Sequence, residues 1–244
     1  MTTTIVTAFS DTGYVQYGHR FMATYAKHGQ GIPLQLYTEN VPDLPDCTQF
    51  DQLAIPGLSE FLQICTGDPL YQGRVPTAAW RRKDIRGGYS YRTDVQKFCK
   101  MVYSIHAGAH SVTTDNMIWL DGDTVVCQDV PPDIADQSLR GASYAFLGRK
   151  NKYSETGYVA FKLPEALPLI DSWVAYYQSG SFYREREWHS AWLFDRAREQ
   201  HPDIAGHNLT PGCEGHVIHQ CWVGKYFDHT KGDRKVKGRS PEAR

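Results

Sequence analysis

Apolar side chains recur along the chain in two alternating rhythms, short continuous runs and three- to four-residue steps. Thr4 to Phe9 is a β-branched and aromatic run bounded by Ser10-Asp11-Thr12-Gly13, which predicts a buried first strand ending in a turn. From Val15 to His28 the apolar positions Tyr17, Phe21, Met22, Tyr25 and Ala26 fall at helical spacing, and Gly29 and Gly31 end the run. Pro33 to Thr38 reads as a second strand. Strand, helix and strand in succession make a βαβ unit, which implies a parallel sheet with right-handed crossovers.

Residues 40 to 92 are rich in Pro and Gly and hold one modest helical pattern, Leu58 to Cys65, so they read as an excursion from the α/β core. Regularity returns at Asp94, an N-cap candidate, where Val95, Phe98, Val102 and Ile105 predict a helix running to about Ala109. Asn116 to Leu120 is the next strand. Two carboxylates, Asp121 and Asp123, then interrupt the apolar run before Thr124-Val125-Val126. Further on, Ala142 to Leu147 and Thr156 to Phe161 read as strands, Pro164 to Gln178 and Glu187 to Gln200 as helices. Val217 to Phe227 is apolar and aromatic, and the segment after it is polar and basic. With no internal repeat and no flexible linker, one α/β domain is the expected organisation.

Composition narrows the class. The 244 residues are 41% hydrophobic and 22% charged, enough for one sizeable core and incompatible with a disordered chain. No run approaches the roughly 20 apolar residues that span a bilayer. The first residues, MTTTIVTAFSDTG, have no basic n-region and read as neither a secretory nor a transit signal, so a cytoplasmic location is expected. Six cysteines, at 47, 65, 99, 127, 213 and 221, never form a CxxC pair. They are expected to be reduced and mostly buried rather than part of a zinc cluster or disulfide scaffold. The net charge of −1 hides an asymmetry: residues 71 to 92 carry six basic side chains against Asp84 alone, and residues 231 to 244 carry six against Asp233 and Glu242. Both segments are candidates for anionic ligands, or for pairing with the acidic remainder of the chain.

The candidate chemistry lies in two motifs. Asp121 and Asp123, separated by Gly122 at a strand end, can both turn oxygens toward one divalent ion, and strand ends are where open parallel sheets place ligands. The second motif is His229-x-x-Gly232-x-x-Lys235. An imidazole can bind a metal such as Mn²⁺, a glycine lets backbone approach a phosphate, and a lysine neutralises phosphate charge. Together they describe a clamp for a metal-bound diphosphate; the alternative for the second motif is a solvated basic segment.

On these segments, KFCKMVYSI and DNMIWLDGDTVV between residues 97 and 126 and HTKGDRK at 229 to 235, the chain resembles the GT-A glycosyltransferases, in particular the glycogenin-like and lipopolysaccharide galactosyltransferase-like family eight. The resemblance implies a single GT-A domain, α/β with a Rossmann-like, mixed but mainly parallel sheet flanked by helices. The variable excursion would lie at about 40–92 and a diphosphate-binding tail at 228–244. It implies transfer of a hexose, with retention of configuration, from a UDP-sugar such as UDP-glucose or UDP-galactose. Asp121, Asp123 and His229 would hold Mn²⁺ or Mg²⁺, and Gly232 and Lys235 would contact phosphate. Lys97 would face the diphosphate and donor sugar. Ala8, Phe9, Ser10 and Tyr14 would meet the nucleotide, with Arg92 and Asp94 as further donor-site candidates. The sequence departs from the family where Glu155-Thr156-Gly157 replaces Asn-x-Gly and where Glu187-Trp188-His189-Ser190 replaces a DQD-type motif. Glu155, Glu187 and His189 are therefore candidates for catalytic or surface roles.

The acceptor is less defined. Tyr71, Trp80, Tyr89 and Tyr91 interleave with the basic residues of 71–92, a composition that fits either a nucleic-acid acceptor such as a modified DNA base or a loop closing over the donor diphosphate. Two other classes stay open. One is a nucleotidyltransferase, against which SDTGYVQYGHR lacks a glycine- and lysine-rich loop; the other is a non-catalytic sugar-nucleotide-binding protein of the same fold.

Overall fold

A computed structural model of the chain describes residues 1–75 and 88–243. Strand β1 (Thr3–Ser10) pairs in parallel with β2 (Leu34–Glu39), Ile5 opposite Leu34, and β2 pairs in parallel with β3 (Thr48–Asp51). The turn after β1 is capped by the Ser10 hydroxyl, which accepts from the Gly13 amide at 3.2 Å. It passes through a short helix α1 (Asp11–Gly13) and a wide π-type turn, Tyr14–Gly18, into α2 (His19–His28). The predicted helix thus begins four residues early.

The chain then leaves the sheet through α3 (Leu58–Thr66) and a hairpin of β4 (Gln72–Arg74) and β5 (Tyr89–Asp94). Asp94 caps α4 (Val95–Ser111), its Oδ1 accepting from the Lys97 amide at 3.0 Å. Strand β6 (Asn116–Leu120) returns parallel to β1. Next come β7 (Thr124–Val126), α5 (Ile134–Leu139), β8 (Tyr144–Arg149) and β9 (Lys152–Lys162), followed by α6 (Leu167–Gln178) and α7 (Ser190–Gln200). The described residues end with β10 (Gly206–Asn208), two 3₁₀ turns over the 217–225 run, β11 (Phe227–His229) and a short α8 (Arg234–Lys237).

The result is a seven-stranded sheet of order β10-β8-β9-β6-β1-β2-β3, with β9 antiparallel to both neighbours and the other pairings parallel. Strand β6 explains why the sequence reads as a continuous apolar run: its side chains alternate between two cores and all five residues are buried. Met117 and Trp119 join Val102, Trp173 and Phe194 beneath α4, α6 and α7, while Ile118 and Leu120 join Phe21, Ile134 and Phe227 on the other face.

The excursion is more regular than its composition predicts, since it contributes edge strand β3 to the main sheet; Thr48–Asp51 is short and largely exposed, so no alternating apolar pattern marks it. Strand β9 starts at Lys152, which places Glu155 inside the sheet. Helix α7 starts at Ser190 rather than Glu187. All six cysteines are free, Cys65 and Cys99 buried and the other four half-buried, which corrects the expectation of mostly buried thiols. No helix among the described residues is long and apolar enough to cross a membrane.

Candidate functional site

Two carboxylates and a histidine far apart in sequence meet because β11 pairs antiparallel with β7, setting His229 opposite Thr124, the residue after Asp123. Thr230 locks this ribbon, its amide and hydroxyl both donating to the Asp123 carbonyl at 3.0 and 2.6 Å. Asp121 is held by its own strand: Trp119 Nε1 donates to Oδ1 at 2.9 Å, which leaves Oδ2 3.3 Å from His229 Nε2. Asp123 Oδ1 lies 3.1 Å from the same nitrogen, and Lys235 Nζ lies 2.9 Å from Asp123 Oδ2.

Two glycines make room. A Cβ on Gly122 would stand 2.6 Å from the Ala8 carbonyl, so the turn between the aspartates packs directly on the end of β1. A Cβ on Gly157 would stand 2.3 Å from His229 Nδ1, so the imidazole fills the space that this glycine leaves on β9. On that side Nδ1 meets Glu155 Oε1 at 3.0 Å, and Glu155 is also paired with Lys231. Glu155 therefore sits behind the histidine, on the side away from the aspartates.

Charge is concentrated here. Burial works against ionisation of Asp123 and Glu155, yet the neighbouring His229 and the lysines hold both carboxyls well below their usual range. Burial also works against a charged His229, and Asp123, Asp121 and Glu155 outweigh it, raising its pKa well above that of a free histidine. Lys235 completes the arrangement by lying 4.5 Å from the centre of the Tyr17 ring.

The group opens onto a cavity of about 800 Å³ at the C-terminal ends of β1 and β6. Of the nucleotide candidates, Ala8, Phe9 and Ser10 line it and Tyr14 does not; Tyr14 packs on Phe9 with ring centres 5.7 Å apart, and Tyr17, read from sequence as a core position, lines the cavity instead. Lys97, Asp94, Gly232 and Lys235 line it. Both Asp94 oxygens are engaged, Oδ1 in capping α4 and Oδ2 by the Tyr89 hydroxyl at 2.7 Å. Gly232 adopts φ of 66°, a left-handed conformation that turns the chain between β11 and α8.

The second altered segment forms a separate cluster that reaches the cavity through His189. His189 Nε2 lies 2.9 Å from Glu187 Oε2, and its Nδ1 accepts from the Trp192 amide at 3.3 Å, capping α7. With Nδ1 an acceptor, Nε2 carries the proton, and burial keeps the ring's pKa low despite Glu187. Glu187 pairs with Arg92 at 3.1 Å, and neither of these two lines the cavity. The His189 ring, which does line it, packs on Tyr153 at 4.4 Å and Tyr91 at 5.4 Å, whose hydroxyls are 2.8 Å apart. Tyr153 and Arg149 were not singled out from sequence; they become visible only once β8 and β9 are paired. The basic and aromatic segment 71–92 is described at 71–75 and 88–92 only; Trp80 and the basic side chains at 81, 82, 83 and 86 lie outside the described residues.

The donors fit a hard divalent cation. Ligand atoms of Asp121, Asp123 and His229 all lie within 4.8 Å of one another. Their closest separations, 3.1 and 3.3 Å, approach the roughly 3 Å between adjacent ligands of an octahedral ion with bonds of about 2.1 Å. Two carboxylates and one imidazole are donors that Mn²⁺ and Mg²⁺ accept.

Two solved structures share the architecture. One is a glycosyltransferase involved in the glycosylation of the major capsid of PBCV-1, superposed with a TM-score of 0.52 at 13% identity over 98% of this chain and 97% of that one. The other is mouse xyloside xylosyltransferase 1 in its apo form, with a TM-score of 0.53 at 12% identity over 96% and 99%. No protein-family model matches the sequence, and no curated protein matches it. The fold is that of a glycosyltransferase domain, a mixed, mainly parallel seven-stranded sheet flanked by helices.

Proposed function

We propose that the protein is a metal-dependent glycosyltransferase of the GT-A, family-eight kind, moving a hexose from a UDP-sugar to an acceptor hydroxyl with retention. The observation that carries this reading is the convergence of Asp121, Asp123 and His229 on one point at the cavity floor, with Lys235 and Gly232 beside it. Asp121, Asp123 and His229 would hold Mn²⁺ or Mg²⁺, which when bound offsets charge building on the leaving diphosphate. Lys235, now against Asp123, reaches the same place and adds a positive charge there. Glu155 keeps His229 oriented from behind, a positioning role. Lys97, at the first turn of α4, faces the cavity where the diphosphate and sugar would lie. Ala8, Phe9 and Ser10, together with Tyr17, would receive the nucleotide. No protein nucleophile is needed if the leaving phosphate takes the acceptor proton. We place the acceptor on the side of Tyr91 and Tyr153, whose rings suit stacking on a sugar or base. The acceptor there would be a glycan or a modified DNA base. Free thiols suit a cytoplasmic setting.

The test is thermal denaturation against UDP-, GDP-, ADP- and dTDP-sugars, each with Mn²⁺ and with chelator, followed by measurement of nucleotide release. A ligand of the folded state raises the melting temperature. The expected result is a Mn²⁺-dependent rise with one UDP-hexose, and UDP release from that donor. Equal response with and without metal, or no response to any donor, overturns the proposal.

A further inference from the structure

We propose that His106, His110 and Asp171 form a second cation site, peripheral to the cavity, that takes Zn²⁺ or a similar borderline transition ion and staples α4 to α6. The two histidines stand four residues apart on α4, so they share one helix face, and Asp171 projects from the facing helix α6. Their rings are 4.6 Å apart. His110 Nε2 lies 2.7 Å and His106 Nε2 3.3 Å from the same oxygen, Asp171 Oδ1, and ligand atoms of the three residues all lie within 4.8 Å of one another.

Zinc bonds to nitrogen and oxygen of about 2.0–2.1 Å put tetrahedral ligands about 3.3 Å apart. The His106–Asp171 separation already matches, and half-exposed His110 and Asp171 need to part by about 0.6 Å to reach that ligand spacing. Partial exposure leaves the remaining coordination to water. The donor set also separates this site from the cavity floor, since two imidazoles select Zn²⁺, Cu²⁺ or Ni²⁺ over Mg²⁺. Along α4, His106 and His110 lie about 14 and 20 Å beyond Lys97 at 1.5 Å per residue, so this site does not depend on the glycosyltransferase reading.

The experiment titrates Zn²⁺ by calorimetry into the full chain carrying Asp121→Asn and Asp123→Asn, which silences the cavity floor. One ion should bind in the micromolar range and raise the melting temperature by several degrees. Adding His110→Ala or Asp171→Asn should weaken binding at least about tenfold, the effect of losing one of three ligands. Cu²⁺ spin resonance gives an independent readout: hyperfine structure from two nitrogens should fall to one in the His106→Ala variant. Should the double-Asn background fold poorly, the wild-type chain serves, binding one ion fewer after His106→Ala/His110→Ala. Zn²⁺ binding indifferent to these substitutions, or absent at millimolar Zn²⁺, overturns the site.

Discussion

Two buried histidines line the same cavity, and they are used in opposite ways. His229 is surrounded by Asp121, Asp123 and Glu155; Lys231 and Arg149 are set against Glu155 and Lys235 against Asp123, while the ion pair of Asp121 among the described residues is with the imidazole itself. Two aspartates thus converge on one imidazole nitrogen, and together with Glu155 they hold the ring protonated. His189 has one carboxylate, Glu187, already matched by Arg92, and both of its nitrogens have structural partners. It remains neutral. The difference teaches that a histidine and a carboxylate in contact do not by themselves mark chemistry. What marks a cation site is the convergence of two carboxylates on one imidazole nitrogen at the wall of a cavity.

The largest effect expected from this contrast is at Asp123. Asp123→Asn should lower metal-dependent transfer by about 10²- to 10³-fold, the scale of losing a key electrostatic contact to the transition state, read as nucleotide release at low Mn²⁺. Wild-type turnover in that variant would put the cation elsewhere. Next come the supports of His229. Glu155→Gln should weaken Mn²⁺ binding by about 10- to 100-fold by calorimetry. Gly157→Ala, whose methyl would occupy the imidazole's place, should match or exceed that loss. An unchanged affinity in both would mean that His229 is not a ligand.

His189→Ala should behave differently, removing the α7 cap at about 1–2 kcal/mol of stability while Mn²⁺ affinity moves by less than about twofold. A large fall in affinity at unchanged melting temperature would erase the distinction between the two histidines. The smallest effect is a pH dependence. His216 is buried with neither ring nitrogen hydrogen-bonded, and burial, helped by Lys231, pushes its pKa down to about 4. The unfolded histidine protonates near 6.5, so this contribution to stability is complete above about pH 6.5 and is lost as pH falls toward 4; His189 acts in the same direction. His229, with its raised pKa, has its contribution already in place below about pH 6.5 and does not reverse the sign. Melting temperature should therefore fall on acidification through that window, and a flat or rising profile would contradict the burial of these rings.

Much of the framework was legible because it rests on local periodicity. Asn116–Leu120 and Thr124–Val126 lie where the sequence puts them, since residues buried on both faces must be apolar in succession. The stripe of α4 and its Asp94 cap were readable for the same reason. Strand β3 was not, because an exposed edge strand needs no apolar face. At the site, the two motifs advertise themselves by composition, but their meeting depends on the register of β7 with β11, a long-range pairing that no local pattern specifies. Glu155 and Gly157 could be noticed but not assigned: their roles depend on which side of His229 they occupy. Tyr17 was hidden by its helical spacing, which fits a core residue as well as a cavity wall.

The ribbon that joins β7 to β11 also bears on the order in which the protein matures. Asp123 and Thr230 are 107 residues apart, and closing so long a loop carries an entropic cost that grows only as the logarithm of its length. The pairing of β1 with β6 closes a comparable separation, Thr3 with Asn116, but the third proposed ligand arrives only with β11. Sensitivity to metal would thus report on the completion of folding. An incompletely folded or shortened polypeptide lacking β11 and the residues after it would keep its two aspartates but neither His229 nor Lys235 beside them.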